Sequence, residues 1–142
     1  MLKNIPKILS PDLIKTLMEM GHGDEIVLAD GNFPAACMAK RLLRLDGQDI
    51  PSLLEAVLKF FPLDEYVDKP AAIMAVVPGD TYVPTMPETF RQIIANHDSN
   101  ANIEEMERYA FYQRAKEAYA IVATGEMAQY ANIILKKGIV KE

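Results

Sequence analysis

The architecture of this chain follows from the sequence Met20-Gly21-His22-Gly23-Asp24-Glu25-Ile26-Val27-Leu28-Ala29-Asp30. A glycine stands on each side of His22, and glycine lets the backbone turn sharply without adding side-chain bulk. The apolar run at 25–29 has the length and composition of a buried strand. Asp30 would then lie at the carboxyl end of this strand, where open α/β sheets commonly place ligand-binding groups.

His22 and Asp30 each have two interpretations. A Gly-His-Gly turn after a helix is most often a C-terminal cap, and an aspartate at a strand end is usually a turn residue. A histidine beside a carboxylate is also a plausible acid/base arrangement. Spacing alone leaves both interpretations open, because catalysis depends on a geometry that spacing does not fix.

The segments next to this stretch have clear helix and turn signals. Ser10-Pro11-Asp12 is a strong helix start, with a hydroxyl N-cap and a proline at the first helical position. Apolar residues then repeat at helical spacing and should face the core: Leu13, Ile14, Leu17 and Met18. After Asp30 comes the turn-prone tetrad Gly31-Asn32-Phe33-Pro34, in which Phe33 is either held toward a site beside Asp30 or an ordinary core residue.

The remaining elements continue an alternation of helices and strands. Further strands are predicted at 41–46, 71–77, 119–123 and 133–135, and helices at 49–61, 88–96 and 104–118. His97 is expected in an exposed loop. The strands are continuously apolar, which favours a sheet covered on both faces. We therefore expect one α/β domain over 1–142, a sandwich with a mainly parallel or mixed central sheet flanked by helices.

Composition restricts the class of protein. The 142 residues match one domain, and 50% hydrophobic with 25% charged residues is typical of a globular chain. A net charge of -5 provides no basic surface for phosphate backbones, so we expect no nucleic-acid partner. Cys37 is the only cysteine, and His22 and His97 have no metal-ligand spacing, so we expect neither an intrachain disulfide nor a metal site.

The first residues give an expectation about location. Met-Leu-Lys-Asn-Ile-Pro lacks the charged head and apolar run of a signal peptide, and no apolar run is long enough to span a bilayer. We therefore expect a cytoplasmic protein without a membrane partner.

Four stretches, taken in order along the chain, carry a family resemblance. They are Met20-Gly21-His22-Gly23-Asp24-Glu25 through Asp30-Gly31-Asn32-Phe33-Pro34; Leu45-Asp46-Gly47; Arg108-Tyr109-Ala110-Phe111-Tyr112-Gln113-Arg114-Ala115; and Ala123-Thr124-Gly125-Glu126 through Tyr130-Ala131-Asn132-Ile133-Ile134-Leu135-Lys136-Lys137-Gly138. Together they resemble the fucose mutarotase and ribose pyranase family, whose members exchange the anomers of sugars. The first and third stretches resemble the fucose branch more closely, whereas Tyr-Ala-Asn at 130–132 is the form common in the ribose branch.

The resemblance implies a site and an assembly. It implies His22 as the catalytic acid/base, Asp30 and Arg108 as sugar ligands, and Tyr130 and Asn132 as further contacts. It also implies an α/β sandwich that assembles into homo-oligomeric rings, often decamers, with sites where subunits meet. The implied partners are a monosaccharide substrate and other copies of the chain.

The chemistry of anomer exchange suits these residue types. Ring opening takes a proton from the anomeric hydroxyl and gives one to the ring oxygen, and closure reverses both transfers. Histidine side chains in general titrate near pH 6.5, so both protonation states are accessible, and the reaction requires no cofactor. Asp30 would either accept from sugar hydroxyls or orient His22. The alternatives are a sugar-binding or regulatory module without turnover and a structural ring-forming protein.

Overall fold

In the computed structural model, which describes residues 1–142, six strands form one sheet. They are β1 (Glu25–Ala29), β2 (Leu42–Leu45), β3 (Ala71–Met74), β4 (Ile103–Met106), β5 (Ala120–Thr124) and β6 (Ile133–Lys136). The strand order is β2-β5-β1-β6-β3-β4. Strand β6 runs antiparallel to β1 and β3, and every other neighbouring pair is parallel. The predicted mixed sheet is therefore confirmed.

Five helices join these strands: α1 (Pro11–Glu19), α2 (Ala35–Met38), α3 (Ile50–Leu58), α4 (Met86–His97) and α5 (Arg108–Glu117). Helix α1 begins where the sequence predicts, because the Ser10 hydroxyl accepts a hydrogen bond from the Leu13 N–H at 3.2 Å. Asp49 caps α3 in the same way, accepting from the Ser52 N–H at 2.7 Å. None of the five helices combines the length and apolar composition needed to cross a bilayer.

The sheet separates two apolar clusters. Ile26 and Leu28 of β1 face the larger cluster, which contains side chains of α1, α3 and α4. Val27 and Ala29 alternate with them and face the smaller cluster, which contains Phe111 of α5. Because helices cover both faces of the sheet, the predicted sandwich is confirmed. Burial on both faces also explains why the sequence of β1 is apolar without alternation.

The structure corrects the predicted helix at 104–118. Residues 103–106 form the edge strand β4, which pairs in parallel with β3, and α5 begins only at Arg108. The two glutamates of β4 favour a helix by local propensity, but pairing with the open edge of β3 overrides that preference. The Glu107 carboxylate then caps α5 by accepting from the N–H groups of Tyr109 and Ala110.

Four smaller points also differ from the sequence predictions. Met18, predicted to face the core, is 79% exposed, because the buried stripe of α1 is narrower than its apolar spacing indicates. Strand β3 ends at Met74 instead of 77, and the short helix α2 after Pro34 was not predicted. His97 is the last residue of α4 and not a loop residue, and its Nε2 lies 2.8 Å from Oε1 of Glu55.

The strand directions give the sheet two different edges. The carboxyl ends of β1, β3 and β4 lie at one edge together with the start of β6, and we call this the carboxyl edge. The opposite edge holds the start of β1 and the end of β6, and we call it the amino edge. Polar groups at the carboxyl edge lie at the position where α/β sheets commonly bind ligands.

Candidate functional site

A pocket of about 270 Å³ opens at the carboxyl edge. Four of the five residues predicted for the site line it: Asp30, Arg108, Tyr130 and Asn132. The rest of the lining mixes apolar and polar side chains, namely Asn32, Phe33, Met74, Val77, Tyr112 and Gln129. The pocket therefore joins a hydrogen-bonding set to an apolar wall, a combination typical of small-molecule sites.

Asp30 and Asn132 hold each other at the base of this pocket. The Asp30 N–H donates to Oδ1 of Asn132 at 2.7 Å, and Nδ2 of Asn132 donates to Oδ2 of Asp30 at 3.1 Å. The two residues meet because Asp30 follows β1 and Asn132 precedes its antiparallel neighbour β6. Both are buried, so this reciprocal pair fixes the orientation of the carboxylate.

The surroundings of Asp30 change its acidity. Desolvation by burial raises the pKa of Asp30 above its usual value, although hydrogen bonds to the carboxylate, including that from the Asn32 N–H at 3.0 Å, oppose the shift. The carboxylate has lost part of its water shell, so it gains from any hydroxyl donor that enters the pocket. This behaviour suits a ligand that carries hydroxyl donors.

Arg108 brings a positive charge to the rim of the pocket. It is the first residue of α5, and its Nε donates to the Tyr112 hydroxyl at 3.2 Å. The guanidinium carbon lies 5.4 Å from the centre of the Tyr112 ring. The hydrogen bond to Tyr112 raises the pKa of Arg108 above its usual value. The two terminal nitrogens of Arg108 make no hydrogen bond within the chain. Those nitrogens remain as a fork of donors for a ligand.

Tyr130 reaches the pocket through an unusual backbone conformation. Its φ of 56° lies in the left-handed region, which few non-glycine residues adopt. The conformation brings the phenol to the segment after β3, where the hydroxyl donates to Oδ2 of Asp80 at 2.5 Å and accepts from the Val77 N–H at 3.3 Å. Residues held in rarely adopted backbone conformations are concentrated in ligand sites.

His22 lies at the amino edge, away from this pocket. It precedes β1 whereas Asp30 follows it, and the strand itself spans about 13 Å at 3.3 Å per residue. Of the two roles left open for Asp30, the one in which it orients His22 therefore does not hold within one chain. Nε2 of His22 lies instead 3.0 Å from Oδ1 of Asp64.

The contact with Asp64 defines the tautomer of His22. Burial would raise the pKa of Asp64, but hydrogen bonds from His22 and the Tyr66 N–H, with the positive charges of His22 and Lys136, hold it below the usual range. An ionised carboxylate only accepts, so Nε2 of His22 carries a hydrogen and donates it. In the neutral ring, Nδ1 is then the nitrogen that can take up a proton.

Sequence reasoning missed several residues of these two sites. Asp64, which contacts His22, and Tyr112, which lines the pocket, are both absent from the predicted set. Phe33 also lines it while packing edge-on against Tyr112 at 5.6 Å and Phe111 at 6.1 Å, so both of its interpretations hold. The only signal for Tyr112 was its i, i+4 spacing from Arg108.

The chain has no group of three or more histidine, cysteine, aspartate or glutamate side chains placed to hold a metal ion. The polar groups of the pocket are hydrogen-bonded pairs and donors, a set that suits hydroxyl-rich ligands.

Comparison with known proteins gives consistent matches over nearly the full chain. The profile of the RbsD / FucU transport protein family matches residues 3–140. The fucose mutarotase of Mus musculus is 52% identical over 144 residues, covering 96% of this chain and 94% of its own. The L-fucose mutarotase of Actinobacillus pleuropneumoniae serotype 5b is 49% identical over 140 residues, covering 98% of this chain and 97% of its own.

A solved structure matches equally well. The fucose mutarotase from Streptococcus pneumoniae, crystallised in complex with L-fucose, superposes with a TM-score of 0.93 at 57% sequence identity. The match covers 99% of this chain and 100% of that one.

Proposed function

The chain belongs to the RbsD / FucU family, and we propose that it is a sugar mutarotase, an isomerase that interconverts the α and β anomers of L-fucose. One observation carries the proposal: a pocket with a fixed carboxylate, an amide and a free guanidinium, in a chain 57% identical to a fucose mutarotase crystallised with L-fucose. A volume of about 270 Å³ is below the roughly 300–1,000 Å³ of drug-sized sites and suits a single sugar ring.

Each pocket residue has a separate role in binding the sugar. The Asp30 carboxylate accepts from a sugar hydroxyl, and Arg108 donates to ring or exocyclic oxygens through its terminal nitrogens. Asn132 keeps the carboxylate aimed at the pocket, and Tyr130 offers its ring edge and hydroxyl oxygen. The apolar wall provides a surface for the less polar face of the ring.

His22 acts as the acid/base from a second copy of the chain. Within one copy it lies at the opposite edge of the sheet from Asp30, so it cannot reach a sugar bound in its own pocket. Its side chain is 44% exposed, and its ring centre lies 5.3 Å from that of Tyr66, which is 68% exposed, so the two rings form an exposed aromatic patch. Such a patch supports assembly with another copy, and the form we propose is a ring-shaped homo-oligomer such as a decamer.

Anomer exchange then proceeds by balanced proton transfers. One proton leaves the anomeric hydroxyl and one reaches the ring oxygen, while the bond from the anomeric carbon to the ring oxygen breaks and the carbonyl forms. Rotation of the open-chain aldehyde and reclosure on its other face reverse both transfers. His22 acts at one of the two oxygens through Nδ1, while Asp64 keeps the hydrogen on Nε2 and stabilises the imidazolium. General acid/base assistance of this kind contributes about 10²- to 10⁴-fold.

The test is exchange NMR on the anomeric protons of L-fucose, with D-ribose alongside. Wild type should exchange the two anomers, His22→Ala should fall to the buffer rate, and both should bind the sugar. Saturable binding by wild type without exchange would refute the mutarotase and support the binding-module alternative. The absence of both would favour a structural role.

Mixing two inactive variants tests whether the site is shared between copies. His22→Ala and Asp30→Ala should each be inactive alone. After unfolding and refolding together in equal amounts, about a quarter of shared sites receive both intact halves, so activity should return to about that level. A mixture that stays inactive would contradict the shared site.

A cytoplasmic location and a single domain over 1–142 are part of the same proposal. The support for them is the sequence pattern described above.

A further inference from the structure

The segment between β3 and α4 holds Tyr130 through its phenol. The Val77 N–H donates to the Tyr130 hydroxyl at 3.3 Å, and that hydroxyl donates to Oδ2 of Asp80 at 2.5 Å. The Tyr82 ring stacks on the Tyr130 ring, with centroids 6.1 Å apart and 23° between the planes. Two hydrogen bonds and one ring contact thus connect a single pocket residue to this segment.

The local sequence places the Asp80 carboxylate for this contact. The Asp80 N–H donates to the Val77 carbonyl at 3.1 Å and closes a turn with Pro78 second and Gly79 third. Gly79 has φ +90°, as the third position of a type II turn requires. The Tyr82 N–H donates to Oδ1 of Asp80 at 2.9 Å, so Oδ2 is left for Tyr130.

The hydrogen of the phenol is therefore assigned. An ionised carboxylate cannot donate, so the hydrogen shared by the two side chains is the one on Tyr130 and is directed at Asp80. The Val77 N–H occupies one lone pair of the same oxygen. Toward the pocket, Tyr130 therefore presents its ring and a hydroxyl oxygen that can accept a hydrogen bond, but it has no hydrogen left to donate.

The acidities of the pair agree with this geometry. The hydrogen bond from Tyr130 lowers the pKa of Asp80, and the bond to Asp80 raises the pKa of Tyr130. The positive charge of Arg108, on α5, acts on the pKa of Tyr130 in the opposite direction but is a smaller influence.

We propose that Asp80 is a positioning residue for sugar binding, which holds the Tyr130 hydrogen away from the pocket and so makes Tyr130 an acceptor and a packing surface. The inference rests on the proposed function, because it assumes that the pocket binds a sugar. It also assigns the proton transfers of the reaction to groups other than the Tyr130 phenol.

The first test is a double-mutant cycle on the dissociation constant of L-fucose, measured by NMR titration of the assembled protein. Asp80→Asn should weaken binding by about three- to tenfold, the range that one neutral hydrogen bond contributes. Tyr130→Phe should weaken it at least as much, and the double variant should be no weaker than Tyr130→Phe. Glu88→Gln, which removes an exposed charge from the first turn of α4, should leave the dissociation constant unchanged.

Additive losses in the double variant would overturn the proposal, since Asp80 would then act on binding independently of Tyr130. An unchanged dissociation constant in Asp80→Asn would also overturn it. Binding of L-fucose by wild type without anomer exchange would refute the proposed function alone, because the dissociation constant still measures this pair.

The second readout does not involve a sugar. Titration of protein labelled with ¹³C at the tyrosine ζ carbon, with the Tyr130 signal assigned by its loss in Tyr130→Phe, follows the phenol directly. Asp80→Asn should lower the pKa of Tyr130 toward its ordinary value, and Glu88→Gln should not. A pKa that stays unchanged in Asp80→Asn would show that the carboxylate does not hold the hydrogen.

Discussion

Nε2 of His22 donates to Oδ1 of Asp64 across 3.0 Å, and this bond joins the turn before β1 to the segment after α3. The Asp64 side chain is only 4% exposed, whereas 44% of the His22 side chain is open to solvent. A buried carboxylate that holds one nitrogen of an exposed imidazole leaves the other nitrogen oriented and free.

Asp64→Asn should therefore reduce anomer exchange by about ten- to a hundredfold while sugar binding stays within about twofold. The amide lacks the negative charge that stabilises the imidazolium, and it can turn its NH₂ toward His22. Exchange NMR at saturating L-fucose checks the first expectation and NMR titration the second. The matched control is Glu65→Gln, which removes the neighbouring, exposed carboxylate that pairs with Lys141. Equal losses in both variants would contradict a specific role for Asp64.

The same pair predicts how stability depends on pH. The folded-state pKa of Asp64 is lowered, so its stabilising contribution is complete above the unfolded pKa of about 3.9 and is lost as pH falls through the folded value. The free energy of unfolding of wild type should thus exceed that of Asp64→Asn at neutral pH, and the two should converge in acid. Urea unfolding at several pH values measures the difference. A gap that does not change with pH would show that the carboxylate charge is irrelevant.

Local patterns in the sequence predicted most of this fold. The hydroxyl cap and proline of α1, the apolar run of β1 and the long amphipathic pattern of α3 each contain their own signal within a few residues. Strand β4 has no such signal, because its helix-favouring glutamates become a strand only beside the open edge of β3. Its pairing therefore had to come from the structure.

In the candidate site, too, some residues have a local sequence signal and others do not. Asp30 could be found from the strand that precedes it, and Asn132 and Arg108 came from the family resemblance. The partners of His22 and Tyr130 are 42 and 50 residues away in sequence, and no local pattern connects them. Sequence spacing leaves open whether His22 and Asp30 meet, and the strand between them directs the two residues to opposite edges.

Asn132→Asp should destabilise the protein at neutral pH. It would place two buried carboxylates about 3 Å apart in a site that already raises the pKa of Asp30. We expect a loss of about 2–4 kcal/mol in the free energy of unfolding at pH 7, and a smaller loss at an acidic pH where one carboxyl takes up a proton. Thermal and urea unfolding at both pH values provide the measurement. Asn100→Asp, in the exposed turn after α4, is the control and should change stability by less than about 0.5 kcal/mol.

Loss of the Arg108 side chain should affect the affinity for L-fucose much more than the stability of the fold. Its side chain is at the rim of the pocket, so Arg108→Ala should change the free energy of unfolding by less than about 1 kcal/mol. The dissociation constant for L-fucose should nevertheless rise by about tenfold or more, because a fork of donors is lost. Arg108→Lys keeps the charge without the fork and should recover only part of the affinity. Full recovery in the lysine variant would mean that charge alone accounts for the role of Arg108.

Gly138→Ala should displace the backbone at Asp64 and so disturb the contact between Asp64 and His22. A β-carbon at Gly138 would lie 2.6 Å from the Leu63 carbonyl oxygen and 2.9 Å from Cα of Asp64, and both are backbone atoms that cannot rotate away. The Gly138 N–H also donates to the Pro62 carbonyl at 2.8 Å. Moving Gly138 away from the segment that contains Pro62 would therefore break this hydrogen bond.

The expected cost of Gly138→Ala is about 1–3 kcal/mol in the free energy of unfolding, the range of an overpacked site. Because the displaced segment carries Asp64, anomer exchange should fall further than the loss of folded protein explains, while sugar affinity at the carboxyl edge stays close to that of wild type. The control is Gly47→Ala, where a β-carbon meets nothing within 4 Å. Exchange rates per folded protein, from NMR and circular dichroism at the same temperature, decide the matter, because a destabilised variant with a normal rate would show that the position of Asp64 does not govern His22.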